Sequence, residues 1–275
     1  MLEEKIISIH SNETPASEAI REKLAVKLEK EGYSVKHIYG ENFDPRSQLL
    51  ICIGGDGTIL TALHKYNFPS VPIIGVNTGH LGFFQEVESH QLDEFIFNYK
   101  NGKFRLQPLS TVAAIVHFQD GTKKKFNALN EIIIKRHNNQ AAHLSLSIDG
   151  SFIEKFTGDG LVVATSAGST AYNYSLGGSI VDPRLNLLQV TPIAPMNTTA
   201  YRSFTSSVLL PSDLHLEVIP DVDRVEKNVV IADGRSNVFE NVSHIEVGVS
   251  RIVVNLLRFE GYDFWGKVKS KFLSS

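Results

Sequence analysis

Leu49-Leu50-Ile51-Cys52-Ile53-Gly54-Gly55-Asp56-Gly57-Thr58 is the stretch on which the reading of this chain turns. Five apolar residues run straight into a glycine-rich loop. A short apolar run of this kind, ended by glycine, reads as a strand buried on both faces. The residues after it, Ile59 to Tyr66, look helical. Glycines between a strand and a helix let backbone N–H groups come close to phosphate oxygens. The helix start adds a dipole that favours anions, and strand ends are where open α/β sheets bind ligands. Gly54, Gly55, Gly57 and Thr58 therefore read as a phosphate-binding loop. Asp56 puts a negative charge where phosphate would sit, which suggests a metal ion or a hydroxyl whose proton the carboxylate accepts. Without a ligand the same residues make a tight turn with Asp56 as helix cap. Neither a Walker loop nor GxGxxG occurs here.

Outward from this loop, strand and helix signals alternate. Val71 to Val76 is another buried strand, closing on Asn77-Thr78-Gly79-His80-Leu81-Gly82-Phe83-Phe84. That second loop suits the same crevice, with His80 either touching ligand or holding the loop. Upstream, Ile6 to Ile9 reads as a strand. Thr14-Pro15 starts a helix with a hydroxyl cap and a first-turn proline. Ile20, Leu24 and Leu28 continue it at helical spacing, Gly32 stops it, and Ser34 to Tyr39 reads as a strand. Leu92, Phe95 and Ile96 mark a further helix. Such alternation predicts a parallel sheet with helices on its faces.

Near Pro108 the pattern changes. Short alternating or β-branched runs follow: 111–118, 131–135, 144–148, 161–165, 208–210, 214–219, 229–231, 244–249 and 252–257. Turn pairs such as Asp120-Gly121, Asp149-Gly150 and Asp233-Gly234 separate them. The expected architecture is an N-terminal α/β nucleotide-binding domain over residues 1–108 and an all-β, sandwich-like domain over 109–257. The tail, 258–275, is expected to pack back on the first domain, with 264–272 helical.

Composition narrows the function classes. A formal net charge of −3 lacks the basic excess of a nucleic-acid binder. The single cysteine, Cys52, cannot form an internal disulfide, so a reducing, cytoplasmic setting is expected, with Cys52 a packing residue. No apolar stretch approaches the ~20 residues of a membrane helix, and the first residues do not resemble a signal peptide.

Two segments of the second half carry chemistry. Asn130-Glu131 stands ahead of a strand. An asparagine amide can read a base edge, and a glutamate can accept from sugar hydroxyls, although polar residues also commonly begin strands. Gly158-Asp159-Gly160 opens the strand 161–165, which runs into a polar segment from Ser166 to Gly178. Hydroxyl groups and backbone N–H groups there suit sugar and phosphate, and Tyr172 and Tyr174 offer stacking faces. The plainer reading is a surface loop rich in turn formers. A nucleotide ligand is the simple inference from all these segments, its identity open.

In order and spacing these motifs resemble those of NAD kinases, from about Leu49 to Asp233. The first is shared with diacylglycerol kinases, sphingosine kinases and phosphofructokinases; the later ones are not. The resemblance implies phosphoryl transfer from ATP, or in some members polyphosphate, to the 2′-hydroxyl of the adenosine ribose of NAD, with a divalent metal, Mg2+ by expectation. Asp56 matches the general base, and Gly57 contacts ligand beside it. Asn130 and Glu131 match residues holding ribose and adenine, and Asp159 the residue at the nicotinamide end. Thr170, Ala171, Tyr172, Asn173, Tyr174 and Ser175 match the segment around adenine and phosphates. Ala194 matches a further adenosine-side contact. Members are usually homodimers or homotetramers, in which a neighbouring subunit can complete the site, and the resemblance implies the same here. One departure stands out: Thr157 occupies a position where many members carry arginine. His143 and Thr157 are further candidates. A lipid kinase would need an apolar site for acyl chains, a dinucleotide sensor would be expected to lose Asp56, and the ten histidines show no metallohydrolase spacing.

Overall fold

The structure, a computed structural model, describes residues 4–38, 43–79, 82–199, 202–221 and 227–273. His80, Leu81 and Tyr39 lie outside the described residues. The chain forms two compact units, Met1–Pro108 with Val254–Ser275, and Leu109–Val253.

The elements run β1 (Ile6–Ser11), α1 (Pro15–Lys30), β2 (Ser34–His37), β3 (Leu49–Ile53), α2 (Asp56–Lys65), β4 (Ile73–Asn77), β5 (Gln85–Glu88) and α3 (Leu92–Lys100). They continue with β6 (Arg105–Phe118), β7 (Lys123–Ala128), β8 (Glu131–Arg136), β9 (Ala142–Ile148), β10 (Ser151–Gly158), β11 (Gly160–Thr165), α4 (Tyr172–Ser175) and β12 (Leu187–Ile193). Last come β13 (Val208–Pro211), β14 (Leu216–Pro220), β15 (Asn228–Ala232), β16 (Arg235–Phe239), β17 (Val242–Arg258) and α5 (Phe264–Phe272).

In the first unit, β2, β1, β3 and β4 lie side by side and parallel, with β5 and the end of β17 on the far side of β4. Every residue of β3 and β4 is buried, as a parallel sheet covered on both faces requires. Thr14 caps α1 by accepting the Ser17 N–H at 3.3 Å, and Leu24 and Leu28 seat the helix on the sheet. β4 starts at Ile73 rather than Val71, because Pro72 has no N–H to give the ladder and contributes only its carbonyl, to the Leu50 N–H. Cys52 is fully buried and free, and burial pushes its thiol pKa up. α5 rests on this unit through Phe264 and Phe272 against Phe83.

The second unit is a β-sandwich. One sheet has the order β10-β9-β14-β17, with β6 on β17 and β7 on β6; the other is β13-β12-β11-β8-β15-β16, antiparallel throughout. Their inward residues, among them Val112, Leu146, Phe156, Val163, Val230 and Ile245, form one core. Each fully buried aliphatic side chain contributes about 1.5–3 kcal/mol. The expected fold class is the observed one. Several strands were not foreseen. β10 is broken by a bulge between Phe152 and Glu154, so its sequence does not alternate cleanly. β12 buries Gln189 and Thr191, so it does not look apolar. Among the described residues, no helix is long and apolar enough to cross a membrane.

Candidate active site

The glycine-rich stretch is built as a strand-loop-helix junction. Gly54 donates its N–H to Val76 O at 2.9 Å and has φ +146, with no room for a Cβ beside the Thr58 side chain. Helix α2 begins at Asp56, three residues before the expected start, with Gly55 as an N-cap that has no side chain to bond. The first-turn N–H groups of a helix have no intrahelical partner. Gly55, Gly57 and Thr58 line an open cleft of about 920 Å3 that also reaches Asn12, Arg21 and Lys65. Arg21 and Lys65 share the cleft with Glu13 and Glu18, so it carries both signs of charge, and the N–H groups of the helix start are what suit an anion there.

Asp56 does not cap the helix. Its carboxylate crosses to the second loop, accepting the Phe83 N–H at 2.8 Å and the Phe84 N–H at 3.0 Å. A Cβ at Gly82 would overlap that carboxylate, so the glycine is required there. The same loop is held from behind. Arg258, fully buried, donates to Phe84 O at 3.1 Å, Phe83 O at 3.3 Å, Gln107 at 2.8 Å and Glu86 at 2.9 Å. Lys267 donates to the carbonyls of Phe83 and Gln85. Burial, then repulsion from Arg258, pulls its pKa down to about 8. Sequence reasoning missed both cations; each lies in the C-terminal segment with no motif around it. Asn77 closes the start of the loop on the Gly79 backbone, and Thr78 shares a 2.9 Å hydrogen bond with Ser17.

In the second unit, the N–H groups of Leu129, Asn130 and Glu131 converge on the Asp233 carboxylate at 2.8, 2.8 and 3.4 Å. Asp233, at φ +46, sits with Gly234 in the β15–β16 turn; the sequence showed the turn but not the anchor. The Gly168 backbone packs on the Asn130 carbonyl with no space for a side chain. Asn130 and Glu131 are nearly fully buried, yet Asn130 Oδ1 and Glu131 Oε2 have no hydrogen-bond partner among the described residues. Buried polar atoms are almost always satisfied, so unsatisfied acceptors at a strand end mark a place for a ligand's donors. Burial, then the Asp233 charge, pushes the Glu131 pKa up to about 8, against a hydrogen bond from the Tyr172 N–H.

The polar segment after β11 is no open loop. Ala167–Thr170 forms a 3-10 turn and α4 follows, because Asn173 is fully buried, accepts from Thr191 at 2.6 Å and packs against Gly178. Tyr172, Tyr174 and Ser175 face outward, with Thr170 and Ala171 half-buried beside them. Asp159 and Ala194 lie elsewhere. Asp159 N–H donates to Ile193 O at 2.9 Å, Ala194 has φ +44, and Met196 N–H reaches Thr157 O. His143 shares a 3.1 Å hydrogen bond with the Thr157 hydroxyl. Asp159, Ala194, Thr157 and His143 thus form one cluster at the Gly160 end of β11, and Asn130, Glu131 and 170–175 another at its Thr165 end. Six residues of strand separate them, roughly 17 Å by strand rise. Ala194 is therefore not brought beside Asn130 within one chain.

Comparisons with known proteins agree with this architecture. The model of the ATP-NAD kinase N-terminal domain matches residues 5–104, and that of the ATP-NAD kinase C-terminal domain residues 129–259. An NAD kinase of Finegoldia magna is 36% identical over 273 residues, 98% of each chain. One from Staphylococcus aureus strain JH9 is 35% identical over 231 residues, 83% of this chain and 85% of the relative. The fold is shared with yeast NADH kinase complexed with NADH, at TM-score 0.85 and 22% identity, over 99% of this chain and 89% of that one. It is shared also with an NAD kinase from Archaeoglobus fulgidus in complex with ATP, at TM-score 0.76 and 25% identity, over 96% and 99%. The chain belongs to the ATP-NAD kinase family.

Proposed function

We propose that Asp56 is the general base with which this chain phosphorylates the 2′-hydroxyl of the adenosine ribose of NAD, drawing the phosphoryl group from ATP. The observation that carries this reading is the Asp56 carboxylate, held at a helix start by the N–H groups of Phe83 and Phe84. Each oxygen keeps a further lone pair for a hydroxyl proton. Phosphoryl transfer depends mostly on in-line placement and charge neutralisation, with modest help from a base. Asp56 orients the hydroxyl and takes its proton late, while Gly55, Gly57 and Lys65 bind donor phosphates in the cleft they line. Asn130 Oδ1 and Glu131 Oε2 accept from the adenosine moiety of NAD, which satisfies both buried atoms.

Mg2+ fits the oxygen donors of this region. It is usually held by one or two carboxylates, waters and substrate phosphates; Asp56 offers a carboxylate, and Glu13 and Glu18 line the cleft. When bound, it neutralises charge on the donor's phosphates. The separation of Ala194 and Asp159 from Asn130 favours a homo-oligomer in which a neighbouring subunit supplies the first pair.

The test is NADP formation from NAD with ATP and Mg2+, with polyphosphate run in parallel. In Asp56→Asn turnover falls ~10²–10⁴-fold, the range of a lost general base. Near-normal turnover in a folded variant would rule the role out. NADP from polyphosphate alone would replace the donor, and a monomer active at all concentrations would remove the neighbouring subunit.

A further inference from the structure

The outer face of the sandwich holds a cluster that the kinase reaction does not use. Ile245 and Val247 of β17 point into the core, so His244 and Glu246, one residue off in the alternation, point out together. β6 pairs with β17 and brings His117 to the same place. His117 Nε2 lies 3.2 Å from Glu246 Oε2, and His244 Nε2 lies 3.7 Å from Glu246 Oε1. The two imidazoles face each other at 4.0 Å between centroids. One ligand atom from each of the three residues lies within 4.8 Å of the others.

We propose that His117, His244 and Glu246 bind one divalent transition-metal ion, Zn2+ by preference, joining β6 to β17. Two residues two apart on one strand and a third on its neighbour close a triangle of donors on a pleated surface. Ligand atoms at about 2.0–2.2 Å from zinc stand roughly 3.3 Å apart in a tetrahedron. The His117–Glu246 spacing already matches, and His244 needs a small rotation. Three further observations support an ion. His117 Nε2 is buried and, although 3.2 Å from Glu246 Oε2, makes no well-aligned hydrogen bond among the described residues. His244 Nδ1 lies 3.2 Å from Ser243 Oγ; with Nδ1–H donating to that hydroxyl, Nε2 keeps its lone pair for a metal, the usual outer-shell arrangement of a ligating histidine. Glu217 of β14 is the register partner of Glu246, so two carboxylates face each other across adjacent strands, an arrangement that repels without a cation. Lys123, the register partner of His117, is the neighbouring fixed cation on β7, and it is exposed enough to extend into water. Imidazole with carboxylate selects Zn2+, Ni2+ or Cu2+ over Mg2+ or Ca2+. A water fills the fourth position.

The experiment uses the full chain without an affinity tag, stripped with EDTA and titrated calorimetrically with Zn2+, with Co2+ as an optical probe. One Zn2+ per chain is expected, with a tetrahedral Co2+ spectrum. Affinity falls from pH 7.5 to 5.5 because the ligands must be deprotonated, and zinc raises the melting temperature. His244→Phe keeps a ring on His117 but removes the donor, and Glu246→Gln keeps the shape without the charge. Each weakens binding at least tenfold. Should His244→Phe not fold, the exposed Glu246→Gln decides alone. No binding at micromolar zinc, or binding unchanged in the folded variants, overturns the site.

Discussion

Asp56 and Glu131 are both carboxylates at the edge of a strand, and the structure treats them in opposite ways. Asp56 is served by two backbone N–H groups, whose own carbonyls are pinned by Arg258 and Lys267. Among the described residues, Glu131 receives one N–H and is otherwise left buried beside Asp233, its second oxygen unpartnered. The role of anchor in the second unit has passed to Asp233, which takes three N–H groups. The lesson is a division of labour. A carboxylate whose partners are fixed before substrate arrives is held in place, which suits a base. A carboxylate left short of partners stores an unfavourable burial that a ligand's hydroxyl or amine can relieve, which suits recognition.

The largest effect is expected at Arg258. Arg258→Met leaves Glu86 buried without its cation and frees the carbonyls behind the Asp56 loop. Stability should fall by about 3–5 kcal/mol in urea unfolding. Assayed well below its melting temperature, the variant should lose roughly ten- to a hundredfold in kcat with KM for NAD little changed. A folded variant with full kcat would show that the loop needs no clamp.

Glu131→Gln sharpens the other side. The Glu131 pKa is raised from 4.5 to about 8, so the folded state holds the proton more tightly than the unfolded one. The stability this gives is complete below about pH 4.5 and is lost as pH rises through 8. In the ligand-free protein the glutamine variant should therefore gain on the parent as pH climbs from 5 to 9, by a few kcal/mol. A constant difference in melting temperature across that range would mean that Glu131 titrates normally.

The smallest effect is expected at Asp233. Asp233→Asn keeps the turn but loses part of the three-fold acceptance, at a cost of about 1–2 kcal/mol. It also removes the charge that helps raise Glu131, so the Glu131 titration, followed by carboxyl carbon NMR, should move down. An unmoved titration would assign the whole shift to burial.

Much of the fold was legible. β3, its glycine loop and α2 followed from an apolar run and three glycines, although α2 starts at Asp56 rather than Ile59, and β4 starts late where Pro72 cannot donate and runs one residue further, to Asn77. Less of the candidate site was. Asp56 stood out, but its reading as helix cap failed because the carboxylate finds better donors 27 and 28 residues away. The segment around 166–178 looked like a loop because its hydroxyl and amide groups suggest exposure; Asn173 and Ser169 are in fact buried and hydrogen-bonded. His80 lies outside the described residues.

The sequence by itself determined what neighbouring residues must satisfy together: the period of the strands, the glycines where backbone needs φ or space, and the charge at the start of α2. Those demands act within a few residues, so they leave a local pattern. Only the tertiary structure decided that Asp233 anchors residues 102–104 positions away, that Arg258 reaches back across 174 to Phe84, and that Asp159 and Ala194 sit at the far end of β11 from Glu131. A buried charge needs a partner at hydrogen-bond distance, whatever the length of chain between them, and that condition is met in space alone.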